Sequence, residues 1–320
     1  MGSKHKHGDK LKWHQKVLLE VLWTLSRLIA ASPRWFRYYV LRPIFFFVLF
    51  VMRYRRKVVL KNLEMAFPEK SYRERRRIMR NFYDTLAEIV VCTISLAGIK
   101  RERDNDVIVW ANGKEHMERV AGRDWIAMGA HYGCWEYLLL WSWFDPSYTF
   151  IGVYHPLRSI VFEHLYRRFR RVAENALPVP MKDTLRDYLR CKANGERVAL
   201  GLVSDQSPIL HKHTEWYKFL NQDTAFVEGG DKLSERFHMP VYFANVRRVK
   251  RGCYEVYFAE IYDGREEVAS GEITRRYASE LEAMIRKRPE LWMWSHRRWR
   301  HTPEKQAKKF GIEKKEARPL

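Results

Sequence analysis

Apolar positions along this chain change their period several times, and each change marks an element. Residues 17–31 are apolar apart from interruptions such as Glu20 and Arg27, and Pro33 follows. Residues 44–52 form a second, shorter run between Arg42-Pro43 and the basic cluster at 53–57. Neither reaches the roughly 18 clean apolar residues of a spanning helix, so two linked helices lying in or dipping into one leaflet are expected; one spanning helix, or a buried helical hairpin, is the alternative. Ser71-x-x-Glu74 is a capping box. Ile78, Met79, Phe82, Leu86, Ile89 and Val90 recur behind it at helical spacing, which predicts a helix to about Leu96. Further on, strand-length apolar runs at 107–110, 125–130, 148–154 and 197–203 alternate with helical stretches at 114–121, 159–174 and 182–193. That alternation predicts an α/β fold, a mainly parallel sheet flanked by helices on both faces, with an N-terminal membrane-associated helical segment. Residues 241–249 and 253–261, joined around Lys250-Arg251-Gly252, predict a hairpin, and 270–288 an amphipathic helix stopped by Pro289. The chain divides into a polar, tag-like stretch (1–12, where His5 and His7 are assigned to the tag rather than to a metal), a membrane-anchoring helical segment (13–57), an α/β domain (58–301) and a charged, solvated tail (302–320).

Candidate chemistry concentrates where the strand at 125–130 stops. His131 ends the apolar run, Gly133 supplies a sharp turn, and Glu136 opens what reads as the first turns of a helix. A histidine and an acid beyond the carboxyl end of a strand point into the crevice where open α/β sheets bind ligands. An imidazole there can take a proton from a hydroxyl, and a carboxylate on its other ring nitrogen fixes the tautomer and stabilises the imidazolium. No Gly-x-Ser-x-Gly elbow occurs, so the hydroxyl belongs to a substrate. A plainer reading has His131 finishing a strand and Glu136 favouring a helix N-terminus. Asp205-Gln206 follows another strand; Asp205 either faces His131 across the crevice or caps the turn before Pro208.

Composition narrows the partners. Lys and Arg number 59 against 38 Asp and Glu, a net charge of +21, so the partners are anionic: nucleic acid, an anionic membrane, or acidic and phosphorylated substrates. No nucleic-acid-binding motif appears, and the N-terminal apolar runs would be idle in such a protein, which leaves a nucleic-acid binder or non-enzymatic membrane adaptor as the rival reading. Twelve Trp, many beside Arg or Lys, suit a membrane interface, and the arginines around the two apolar runs place it on the cytoplasmic side. Four scattered Cys make neither a disulfide framework nor a zinc site, and His211 and His213 lack a third ligand at metal spacing.

The block Ala130-His131-Tyr132-Gly133-Cys134-Trp135-Glu136 resembles the His-x4-Asp/Glu signature of the lysophospholipid acyltransferase superfamily and, more narrowly, the bacterial late acyltransferases of lipid A biosynthesis, in the flavour of the Bacteroides-like branch. Tyr54-Arg55-Arg56-Lys57, Phe67-Pro68-Glu69, Val179-Pro180-Met181-Lys182, Ser204-Asp205-Gln206-Ser207-Pro208, Phe219-Leu220-Asn221-Gln222 and Trp294-Ser295-His296-Arg297-Arg298-Trp299 resemble further blocks, in the family's order, over roughly residues 17 to 300. The resemblance implies acyl transfer from an acyl carrier protein thioester to a hydroxyl of a lipid A precursor at the cytoplasmic face of the inner membrane. His131 would act as general base oriented by Glu136, with Asp205 and Gln206 positioning substrate. Backbone N–H groups or Arg171, which matches an arginine before the Val-Pro-Met block, would stabilise the oxyanion. No metal or organic cofactor is implied. A lysophospholipid or aminolipid acceptor is the alternative within the same chemistry. The upstream Phe162-Glu163-His164 departs from the family's Phe-Asp-Arg.

Overall fold

The computed structural model describes residues 10–320; His5 and His7, and the tag-like stretch up to residue 9, lie outside the described residues. The strands are β1 (Ile108–Trp110), β2 (Trp125–Gly129), β3 (Tyr148–Tyr154), β4 (Ala176–Pro180), β5 (Arg197–Val203), β6 (Tyr217–Phe219), β7 (Gln222–Thr224), β8 (Val241–Lys250) and β9 (Cys253–Tyr262). Seven of them form one sheet in the order β1-β9-β8-β2-β5-β3-β4, while β6 and β7 pair by themselves. Every neighbouring pair in the large sheet is parallel except β8 and β9. The expected hairpin is therefore built into the sheet, and β1 and β9 run against the other five strands.

All five residues of β2 are buried, as a central parallel strand requires. Its two faces meet different helices. Trp125 packs on Trp141 of the helix Trp141–Phe144, with ring centroids 5.6 Å apart. Met128, on the opposite face, lies against the helix Gly229–Phe237, where a Cβ on Gly230 would come within 2.7 Å of its sulfur.

The capping box forms as expected and opens the helix Tyr72–Ser95: the Glu74 carboxylate accepts from the Ser71 amide at 2.8 Å. Other elements depart from expectation. β4 contains Pro178 and Pro180, which reads as loop; it is tolerated because it is an edge strand bonded only to β3. Residues Trp135–Leu140 form a 3-10 helix rather than the start of an α-helix. The basic helix is shorter than 159–174 and spans Ile160–Phe169. After residue 302 the chain folds instead of trailing as a solvated tail. Thr302 caps the helix Pro303–Phe310, whose buried Gln306 accepts from Trp216 Nε1 at 2.6 Å. Thr-Pro before a helix and Gly311 after it are the signals that the charge reading overrode.

Near the N-terminus, the helix Trp13–Ala31 buries Leu19, Ser26 and Ala30 and exposes Val17, Val21, Leu25 and Leu28 along its other side. The helix Arg42–Val51 likewise exposes Ile44, Phe47, Val48 and Val51. Among the described residues no single helix is long and apolar enough to cross a membrane; Arg34–Val51 and Arg56–Ala66 pass such a test only together, across a bend of 87°.

Candidate active site

β2 and β5 lie side by side with Gly129 opposite Val203. His131 and Asp205 each stand two residues past that pair, at the carboxyl edge of the sheet. Gly133 makes the turn behind His131 with φ +53, and a Cβ there would fall 2.5 Å from the Tyr254 ring, so glycine is required on both counts.

His131 Nδ1 lies 2.7 Å from Asp205 Oδ1. Asp205 is buried, and its second oxygen accepts from Trp292 Nε1 at 2.7 Å. Burial by itself would raise the Asp205 carboxyl; the neighbouring imidazole and these hydrogen bonds outweigh it and hold the group below the ordinary carboxylate range. An ionised carboxylate only accepts, so Nδ1 carries the ring proton and Nε2 presents a lone pair. The Gln206 amide nitrogen sits 3.1 Å from that Nε2 and donates to it. The His131 side chain keeps 22 % of its surface exposed while Asp205 keeps 2 %, so the base is reachable and its partner is not.

Glu136 is placed differently from expectation. Its oxygens accept from Arg170 Nε at 2.9 Å and Nη2 at 2.6 Å, a two-point ion pair, and it makes no hydrogen bond to His131. The carboxylate on the imidazole is Asp205's. Burial would raise Glu136, but the Arg170 charge and hydrogen bonds, with a smaller share from His131, hold it low. Arg170 is itself sandwiched, its guanidinium 4.7 Å from the Tyr154 ring centroid and 5.4 Å from that of Tyr166. Arg171, the arginine singled out by resemblance, is exposed just past the end of the Ile160–Phe169 helix, and its guanidinium has no hydrogen-bond partner among the described residues. Arg170 is the C-cap of that helix, with backbone still in the right-handed helical region, whereas Arg171 lies one residue beyond it.

The Trp294–Trp299 block, whose role the sequence left open, forms the site's back wall. His296 Nε2 accepts from the Ser207 amide at 3.2 Å, and burial lowers this imidazole to about 4. Arg298 is buried without a carboxylate within ion-pair distance among the described residues. Its Nη2 donates to the Ala225 carbonyl at 2.7 Å, its guanidinium lies 4.6 Å from the Phe226 centroid, and burial lowers it to about 10. Among the described residues no group of three His, Cys, Asp or Glu could hold a metal ion.

Residues 9–301 match the family described as bacterial lipid A biosynthesis acyltransferase. The chain belongs to that family. In a chain of that family, the imidazole with one nitrogen on a carboxylate and the other on the Gln206 amide is the candidate seat of the chemistry. No curated protein matches the chain. Three residues of this acyltransferase's site went unassigned from sequence, namely Arg170, Trp292 and Arg298. Arg170 lies beside the arginine that the resemblance marks, and Trp292 and Arg298 sit beside or in a block whose role the sequence leaves open.

Proposed function

We propose that this acyltransferase moves a fatty acyl chain from an acyl carrier protein thioester to a hydroxyl of a lipid A precursor, at the cytoplasmic face of the inner membrane. The observation that carries the reading is His131 held by Asp205, with Nε2 on the Gln206 amide and part of the ring exposed. The acceptor hydroxyl displaces the Gln206 amide from Nε2 and gives its proton to that nitrogen. The alkoxide oxygen attacks the thioester carbonyl carbon. Collapse of the tetrahedral intermediate forms the ester and breaks the C–S bond, and the departing thiolate takes the proton back from Nε2. Asp205 stays ionised throughout and stabilises the imidazolium. The displaced Gln206 amide, now beside the reacting carbonyl, donates to the developing oxyanion. Arg170 and Glu136 act as a rigid pair that fixes the shape of the loop after His131.

Surface chemistry supports the membrane and carrier parts of this reading. The outward apolar stripes of the helices Trp13–Ala31 and Arg42–Val51 suit insertion into one leaflet without crossing it. Arg73, Arg76, Arg77 and Arg80, at helical spacings that put them on one face, are exposed and lack a carboxylate partner among the described residues. Such a stripe suits phosphorylated lipids or an acidic carrier.

The test is acyl transfer by the purified protein in detergent or vesicles, followed by mass spectrometry of the acceptor. Addition of one acyl chain to the lipid A precursor, dependent on acyl carrier protein and lost in His131→Ala, is the expected result. Acylation of a lysophospholipid but not of the lipid A precursor would replace the acceptor, and transfer unaffected in His131→Ala would remove the proposed base.

A further inference from the structure

One three-residue segment, far from His131 in sequence, touches both members of the dyad. Residues 291–293 run antiparallel to residues 131–133: Gly133 donates to the Leu291 carbonyl at 2.9 Å, and Met293 donates to the His131 carbonyl at 3.0 Å. Tyr132 and Trp292 form the bridge between them. From the centre of this short ladder the Trp292 indole reaches across to Asp205, with Nε1 2.7 Å from Oδ2. The backbone of 291–293 therefore fixes where His131 stands, and the Trp292 side chain fixes where Asp205 points. Trp292 is buried, and its ring packs on Trp294 with centroids 4.7 Å apart and on Phe219 at 6.0 Å. The indole N–H cannot swing away without emptying that packing.

We propose that Trp292 is a positioning residue for the acyl transfer, and that its indole N–H sets how strongly Asp205 holds the His131 proton. This rests on the function proposed above for the dyad. Asp205 has two oxygens, one given to the imidazole and one to the indole. A donor on the second oxygen draws charge from the first, so the carboxylate pulls less on the imidazole and the ring returns its proton more readily. Without that donor the carboxylate becomes more basic, the imidazolium is favoured and the ring loses a restraint on its orientation.

Other polar and charged groups also face His131. Gln206 and Asp205 come from the end of β5, Glu136 from the 3-10 helix with Arg170 behind it, and His296 and Arg298 from the back wall. Trp292 carries no charge, and it alone of these donates to the second oxygen of Asp205. Replacing it alters one hydrogen bond without adding or removing a charge, which makes the test readable.

The experiment uses the full chain with isotope-labelled histidine, and His131→Ala assigns the His131 resonance. Trp292→Phe keeps an aromatic ring, smaller than the indole, and removes the donor. Benzothienylalanine in place of Trp292 keeps the bicyclic shape, exchanges N–H for sulfur, and serves where Trp292→Phe does not fold. In either variant the His131 titration should move upward by about one pH unit, the scale of one lost hydrogen bond to a charged group. The acid limb of kcat/KM for acyl transfer should move by the same amount, with KM for the lipid unchanged. A merely structural role would lower kcat equally at every pH and leave the titration where it was. Wild-type titration in a folded variant therefore overturns the proposal. A shifted titration in a protein that transfers no acyl group keeps the positioning role and overturns the acyl-transfer reading instead.

Discussion

His131 and Asp205 occupy equivalent places on neighbouring strands, each two residues beyond a pair, Gly129 and Val203, that lies in register. Parallel pairing thus delivers the two side chains to one point at 2.7 Å without any help from sequence proximity. Two changes should test the pair together. His131→Ala should lower acyl transfer by roughly two to four orders of magnitude, the range for a lost general base. Asp205→Asn leaves a neutral amide that cannot stabilise the imidazolium, and it should fall into a similar range. In the double variant, measured by the same mass-spectrometric turnover, the losses should not add, because both remove one function.

Glu136 and Arg170 should behave as a structural pair. Removing one partner strands a buried charge, so Glu136→Gln or Arg170→Ala should each destabilise the fold by about 3–5 kcal/mol. Joining Glu136→Gln with Arg170→Met should recover part of that loss, as read from denaturant unfolding of all four proteins. Arg171→Ala should leave both stability and turnover near wild type, since its side chain is exposed beside the site rather than in it.

His116 gives the fold a pH dependence of known sign. It is completely buried among Trp125, Trp141, Tyr242 and Phe258 with neither ring nitrogen hydrogen-bonded, and burial holds it at about 3, below its ordinary 6.5. The neutral ring is the folded form. Its contribution is complete above the unfolded value of 6.5 and is lost as pH falls toward 3, by about 1.4 kcal/mol per pH unit once below 6.5. His116→Phe should flatten the decline of unfolding midpoint between about pH 6.5 and pH 5. His296 and His301, depressed by burial, should add slope of the same sign, and Asp231, raised by burial to about 6, slope of the opposite sign.

Membrane docking should divide between the apolar and the cationic surfaces. Phe47→Gln or Val51→Gln should weaken binding to vesicles of any headgroup, by about tenfold for each buried apolar side chain withdrawn. Replacing Arg73, Arg76, Arg77 and Arg80 by Gln should lower binding to anionic vesicles and leave neutral ones unaffected, and added salt should reproduce that loss. Cosedimentation with the two vesicle types separates the contributions.

The elements legible in the sequence were those whose pattern is local. β3 and β5 were located to the residue, and the Ser71–Glu74 box placed the start of the long helix correctly. β4 was hidden because its two prolines read as loop, and only its position at the sheet edge makes them harmless. The site was half legible. His131 was marked by where its strand stops, and Asp205 was named as one of two possibilities. The five-residue spacing to Glu136 suggested a pairing that the 3-10 turn does not make. Its real partner lies 34 residues away and was passed over for the adjacent Arg171. Trp292 could not be assigned from its own surroundings, because its role depends on a ladder to residues 131–133.

That ladder also fixes when the molecule can begin to work. The ribosome releases the chain in order, yet β2 pairs with β8, and the ladder on residues 131–133 comes from residues 291–293, about 160 residues further on. The outward-facing helices Trp13–Ala31 and Arg42–Val51 precede every residue of the candidate site in synthesis, and that site is completed only when 291–293 arrive. A nascent chain that has not yet reached residue 291 therefore holds His131 and Asp205 without the ladder and without the Trp292 hydrogen bond.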